Sequence, residues 1–178
     1  MTTETLNISE AQLVDYSKAQ NEPSWMTELR QKALKLTETL EMPKPDKTKL
    51  RKWDFDTFKQ HHTTGDAYTQ LTDLPKSVKE IIDVENSENL IIQHNNELAY
   101  TQVSDQAKHD GVIIEGLSEA LVNHSDLVQK YFMTKAVDVD EHRLTALHTA
   151  LVNGGIFVYV PKNTVVEHPI QYVVLHDD

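Results

Sequence analysis

Nine histidines and 28 carboxylates, with no cysteine, set the chemistry open to this 178-residue chain. Imidazole nitrogens bind metals well, but their spacing here does not converge. No pair stands four residues apart on a clear helical pattern. His142 and His148 are six apart, so they lie about 120° apart around a helix that turns roughly 100° per residue. His61 and His62 are adjacent in a loop, and His168 and His176 flank a strand with Asp177 and Asp178 nearby. Solvated or hydrogen-bonded histidines are the expectation, with no metal site. The missing thiols remove disulfides, cysteine-based zinc sites, thiol nucleophiles and cysteinyl iron–sulfur ligands from this chain. Neither glycine-rich phosphate motif is present, nor a G-x-S-x-G elbow. Gly154-Gly155 follows a helix, whereas a phosphate loop precedes one. Asp138, Asp140 and Glu141 read as a helix start, not as an acid–base pair. Residue chemistry therefore offers no catalytic, cofactor-binding or metal residue, and the chain is not expected to be an enzyme.

Charge narrows the partners. Lys and Arg number 17 against 28 Asp and Glu, giving a net charge of -11 and a pI near 5.2. Phosphate backbones and anionic membrane surfaces need a basic face, so neither a general nucleic-acid binder nor a membrane-surface binder is expected. The N-terminus lacks the basic and apolar regions of a secretory signal. No stretch approaches the 18 or so apolar residues that span a bilayer. A soluble protein of a reducing cytoplasm is the expectation.

The elements that would position any site alternate in character. Ser9-Glu10-Ala11-Gln12 is a capping box, predicting a helix to about Gln20 with Leu13 and Tyr16 on its apolar side. Ser24 opens a second helix, whose stripe runs Trp25, Leu29, Ala33, Leu36 and Leu40, with Glu28, Arg30, Lys32 and Lys35 mostly off it. Met42-Pro43-Lys44-Pro45 ends it. Residues 46–75 predict loop with short helical turns, with Trp53, Phe55 and Phe58 pinned to neighbouring helices. Ser77-Val78-Lys79-Glu80 reads as a further capping box before Ile81 and Ile82. Leu90 to His94 and Leu98 to Val103 flank an Asn95-Asn96-Glu97 turn and predict a hairpin. Val112 to Ile114 predicts a short strand, and Leu117 to Phe132 a helix split near His124-Ser125, with Ser125 capping the second piece. Asp140 to Asn153 predicts a helix burying Leu144, Leu147, Ala150 and Leu151, with Asp140 and Glu141 in its first turn and Gly154-Gly155 as its stop. Strands follow at 156–160, 164–167 and 170–175, with a turn at Pro161-Lys162-Asn163. Either these strands close on the hairpin near residue 95, or the chain is the front of a longer β structure.

Two stretches carry a family resemblance. The first is Glu22-Pro23-Ser24-Trp25-Met26 with Leu29-Arg30-Gln31-Lys32-Ala33-Leu34 and, past the prolines, Lys52-Trp53. The second is Leu144-Thr145-Ala146-Leu147-His148-Thr149-Ala150, running into 154–163 (GGIFVYVPKN) and Val166-Glu167-His168-Pro169-Ile170. Together they resemble the SufB/SufD family of iron–sulfur cluster assembly proteins. The Glu-Pro-x-Trp opening, the Pro-Lys-Pro linker and the Lys-Trp pair favour the SufD branch, and Leu90 through Leu117-Ser118-Glu119-Ala120-Leu121 suits it too. The resemblance covers nearly all of the chain but only the front of the family. It implies an α+β fold: a helix-rich N-terminal region over 1–153, with short strands near 90–114. At 154–178 come the first strands of a truncated right-handed parallel β-helix. It implies a scaffold subunit whose full-length form partners SufB-like and SufC-like ATPase subunits, with an iron–sulfur cluster only in the assembled complex and no cofactor in this chain. No family site residue maps onto a position here. Self-association through the C-terminal strands is a further expectation, because open apolar edges pair. A SufB-type paralogue, or an unrelated β-helix enzyme, such as one acting on polysaccharides, or interaction module, remain the alternatives.

Overall fold

The structure, a computed structural model, describes residues 8–55 and 67–176. It is α+β, with seven helices and five strands among those residues, and it divides into two compact units. One comprises Met1–His61 and Leu121–Val152; the other comprises His62–Ala120 and Asn153–Asp178.

The first unit is helical. Helix α1 (Glu10–Ala19) starts at the expected capping box: the Ser9 hydroxyl accepts from the Gln12 amide, and the Gln12 side chain accepts from the Ser9 amide. Helix α2 (Ser24–Thr39) forms as expected, but its deepest face is turned by about one residue. The fully buried positions are Met26, Arg30, Ala33 and Thr37. Leu29 and Leu36 only flank the cluster of Leu13, Ala33, Val139 and Ala150. Arg30, expected off the stripe, is 2% exposed.

The reason for that rotation is polar. The Arg30 Nε donates to Glu22 Oε2 at 2.8 Å, and its guanidinium also donates to the carbonyls of Ala150 at 2.9 Å and Val152 at 2.7 Å. Those carbonyls close helix α7 (Arg143–Leu151), so a buried cation meets the negative end of a helix. Ser17 donates to the same Glu22 carboxylate, and the Tyr16 ring lies 5.1 Å from the guanidinium carbon. Each guanidinium nitrogen and both Glu22 oxygens thereby have a partner, as burial of an ion pair requires.

Helix α7 begins later than expected. Asp140 and Glu141 precede it, and His142 is its cap, with Nδ1 accepting from the Thr145 amide at 3.1 Å. The expected split in the preceding helix holds: α5 (Leu117–Asn123) and α6 (Ser125–Tyr131) are separated at His124. Ser125 does not cap α6, however; its hydroxyl accepts from the Trp25 indole at 2.8 Å.

The second unit is built on the hairpin. Strands β1 (Asn89–His94) and β2 (Glu97–Gln102) pair antiparallel around Asn95-Asn96, and Asn95 takes the positive φ of 56° that such tight turns require. Strand β5 (Ile170–Leu175) pairs with β1 in parallel, so the sheet order is β2-β1-β5. Flanked on both sides, β1 is buried on both faces: Leu90 and Ile92 join Leu74, Val78 and Ile82, while Ile91 joins Ala107, Val112 and Ile114. Strands β3 (Ile113–Gly116) and β4 (Ile156–Tyr159) form a separate antiparallel pair. Of the two expectations for the late strands, closure on the hairpin is observed for β5. Residues 164–167 form no strand. The short helix α3 (Lys76–Lys79) has Pro75 as its cap, not Ser77, and the short α4 (Asp105–His109) is capped by Ser104.

Glycine at 154 has a different role from the expected helix stop. Helix α7 already turns extended at Val152, and a Cβ on Gly154 would lie 2.5 Å from the Asn96 carbonyl oxygen. The hairpin turn and the approach to β4 need that space.

Candidate functional site

Two surfaces stand out, one on each unit. On the helical unit, the chain leaving α2 bends through Pro43 and Pro45 into a 3-10 turn at Leu50–Lys52. Arg143 fastens the start of this bend: its amide donates to the Glu41 carbonyl at 2.9 Å, and its Nε donates to the Thr37 carbonyl at 3.0 Å. The bend encloses an open groove of about 1260 Å³. Trp53, expected to be pinned to a helix, is instead 63% exposed and stacks on Phe55 with ring centroids 6.0 Å apart and planes 13° from parallel. Phe58 lies outside the described residues. The Lys44 ammonium holds the Glu41 carboxyl below its usual range, and Glu41 in turn raises Lys44, chiefly through their hydrogen bond.

On the sheet unit, β5 alternates. Val173 and Leu175 pack on the core, while Tyr172 and Val174 face outward. Among the described residues β5 has no second neighbour in its sheet. Burial raises the Tyr172 hydroxyl above its ordinary pKa, and that hydroxyl donates to the Gln93 carboxamide oxygen. Gln171 binds the segment before β1: its carboxamide oxygen accepts from the Asp83 amide at 2.7 Å, and its nitrogen donates to the Asp83 and Asn86 carbonyls.

Among the described residues the histidines do not gather. His142 caps a helix, His109 lies 3.2 Å from Asp110, and His168 lies 3.6 Å from Glu88. Hydrogen bonds from Gln106 and His109 lower the Asp110 carboxyl. Among the described residues no three His, Cys, Asp or Glu form a group able to hold a metal. His61 and His62 lie outside the described residues. No helix among those described is long and apolar enough to cross a membrane. Sequence reasoning missed three polar anchors: Arg30, Gln171 and Asn89. Asn89 is fully buried; it donates to the His168 carbonyl at 3.1 Å and accepts from the Ser104 amide at 2.9 Å.

The described residues thus form an α+β arrangement of a polar-anchored helical unit and a unit built on a mixed three-stranded sheet. The family model described as the SufBD protein N-terminal region matches residues 11–172, so the chain belongs to the SufBD family. It is 46% identical over 173 residues to the iron–sulfur cluster assembly protein SufD of Bacillus subtilis, covering 97% of this chain and 40% of that protein. An iron–sulfur cluster assembly SufBD family protein of Pyrococcus horikoshii is 30% identical over 189 residues, covering 97% of this chain and 42% of that protein. One from Mycobacterium tuberculosis strain H37Rv is 30% identical over 174 residues, covering 92% of this chain and 20% of its own length. The chain thus spans well under half the length of these relatives.

Proposed function

We propose that this chain is the N-terminal region of a SufD-like scaffold subunit that assembles iron–sulfur clusters for transfer to apo-proteins in the cytoplasm. The observation that carries the reading is the 46% identity to SufD across 97% of the chain. The whole protein would act with SufB-like and SufC-like ATPase subunits. Residues 1–153 would form its helix-rich region and 154–178 the first strands of a right-handed parallel β-helix. Support for the latter is the parallel β1–β5 pair, with β5 at the sheet edge. The same edge, with Tyr172 and Val174 outward, supports self-association through the C-terminal strands.

This region would contribute no cluster ligand of its own, since thiolates are the usual cluster ligands and it has none. Co-expression of the full-length protein with SufB-like and SufC-like subunits should give one co-eluting complex on size exclusion. Elution apart from both would overturn the reading. Anaerobic reconstitution of the 178-residue chain with iron and sulfide should leave no stoichiometric visible chromophore; a stable one would overturn the absence of cluster ligands.

A further inference from the structure

We propose that the groove beneath α2 is a docking site for a short acidic peptide segment carrying apolar side chains. The inference stands apart from the scaffold reading and rests on the charge and form of this one bend.

The chain is acidic overall, yet the groove is lined by Lys44, Lys49, Lys52 and Arg143 against Glu41 and Asp54. Lys44 is engaged by Glu41. Lys49 and Lys52 line the groove and are exposed, and neither joins an ion pair among the described residues. Met42, Pro43 and the stacked Trp53 and Phe55 line the same groove. An exposed tryptophan costs hydration free energy that a bound apolar side chain would recover, and aromatics with flanking cations are the usual anchors of binding hot spots. The prolines fix the backbone of the bend in advance, so little ordering would be lost on binding. Proline nitrogens also cannot donate to an added strand, which makes side-chain recognition the mode.

The overall charge selects the size of the ligand. A long polyanion such as nucleic acid would run beyond the basic island into a surface of the same sign. A short segment feels chiefly the local charge, because screening acts within about 8 Å at physiological salt.

The test uses the 178-residue chain carrying Trp25→Phe, which leaves Trp53 as the single tryptophan, and the synthetic peptide DEDLLEDE. Titration should shift Trp53 emission to the blue and give saturable binding. The apolar-free peptide DEDSGEDE and the basic peptide KRKLLKRK should bind at least about tenfold more weakly. Lys49→Glu with Lys52→Glu should weaken DEDLLEDE by about tenfold or more. Trp53→Ala, followed through a fluorescein label on the peptide, should weaken it by about fivefold or more. Lys18→Glu with Lys32→Glu, exposed positions of the same unit outside the groove's lining, should leave binding unchanged. Circular dichroism unchanged across the variants separates lost binding from lost folding. Absence of saturable binding, equal loss from the control pair, or equal affinity for an eight-residue thymidine oligonucleotide would each overturn the proposal.

Discussion

Each unit of this protein buries one polar side chain that ties together segments far apart in sequence, and the two choices differ in kind. The helical unit uses Arg30, a cation against a carboxylate and the carbonyl end of α7. The sheet unit uses Asn89, a neutral amide with one donor and one acceptor engaged. The difference follows from what each must satisfy. A helix end presents several carbonyls and a partial negative charge, which suit a guanidinium fork. A segment beside a strand presents one amide here and one carbonyl there, which suit a carboxamide. The helical unit should therefore be the more sensitive to loss of its anchor, because an unpaired buried charge costs more than an unpaired dipole.

The largest expected effect tests that ranking. Arg30→Met should destabilise the helical unit by about 3–5 kcal/mol in urea unfolding, since Glu22 is left buried and uncompensated. Adding Glu22→Gln should recover part of the loss. Hydrogen exchange should rise in α2 and α7 while β1 stays protected; an equal rise in β1 would show that the two units unfold together and dissolve the comparison. Asn89→Ala should cost about 1–3 kcal/mol, read as faster exchange in β1 and β5. A loss above that of Arg30→Met would reverse the ranking. Ser9→Ala should cost about 1 kcal/mol, confined to fraying of α1, because it removes one exposed cap and no buried group. A loss spread over α2 would mean that α1 anchors more than its own turn.

Local chemistry was legible in the sequence. The Ser9 capping box, the Asn95-Asn96 turn and the break at His124 each depend on residues within four or five positions of one another, and each stands where expected. What failed to show was decided at a distance. Arg30 looked like a solvated charge because its carbonyl partners lie 120 residues and more downstream. That pull rotated the buried face of α2 away from the purely apolar stripe. Ser77 lost its cap role to Pro75, and the Thr164–Glu167 segment formed no ladder, because β propensity without a neighbouring strand fixes nothing. The groove is hidden in the sequence because aromatics in a polar stretch predict packing against neighbouring helices. The density of basic residues beside Trp53, in a chain otherwise acidic, was the signal that would have found it.

The anchor at Arg30 also sets a timetable. During synthesis its guanidinium waits for Ala150, made 120 residues later. At about 5–20 residues per second that interval lasts roughly 6–24 s. Strand β1, the most buried of the sheet, waits in the same way for β5. Its wait is shorter, 81 residues from Asn89 to Ile170, and slowing translation beyond residue 120 would prolong the exposure of both.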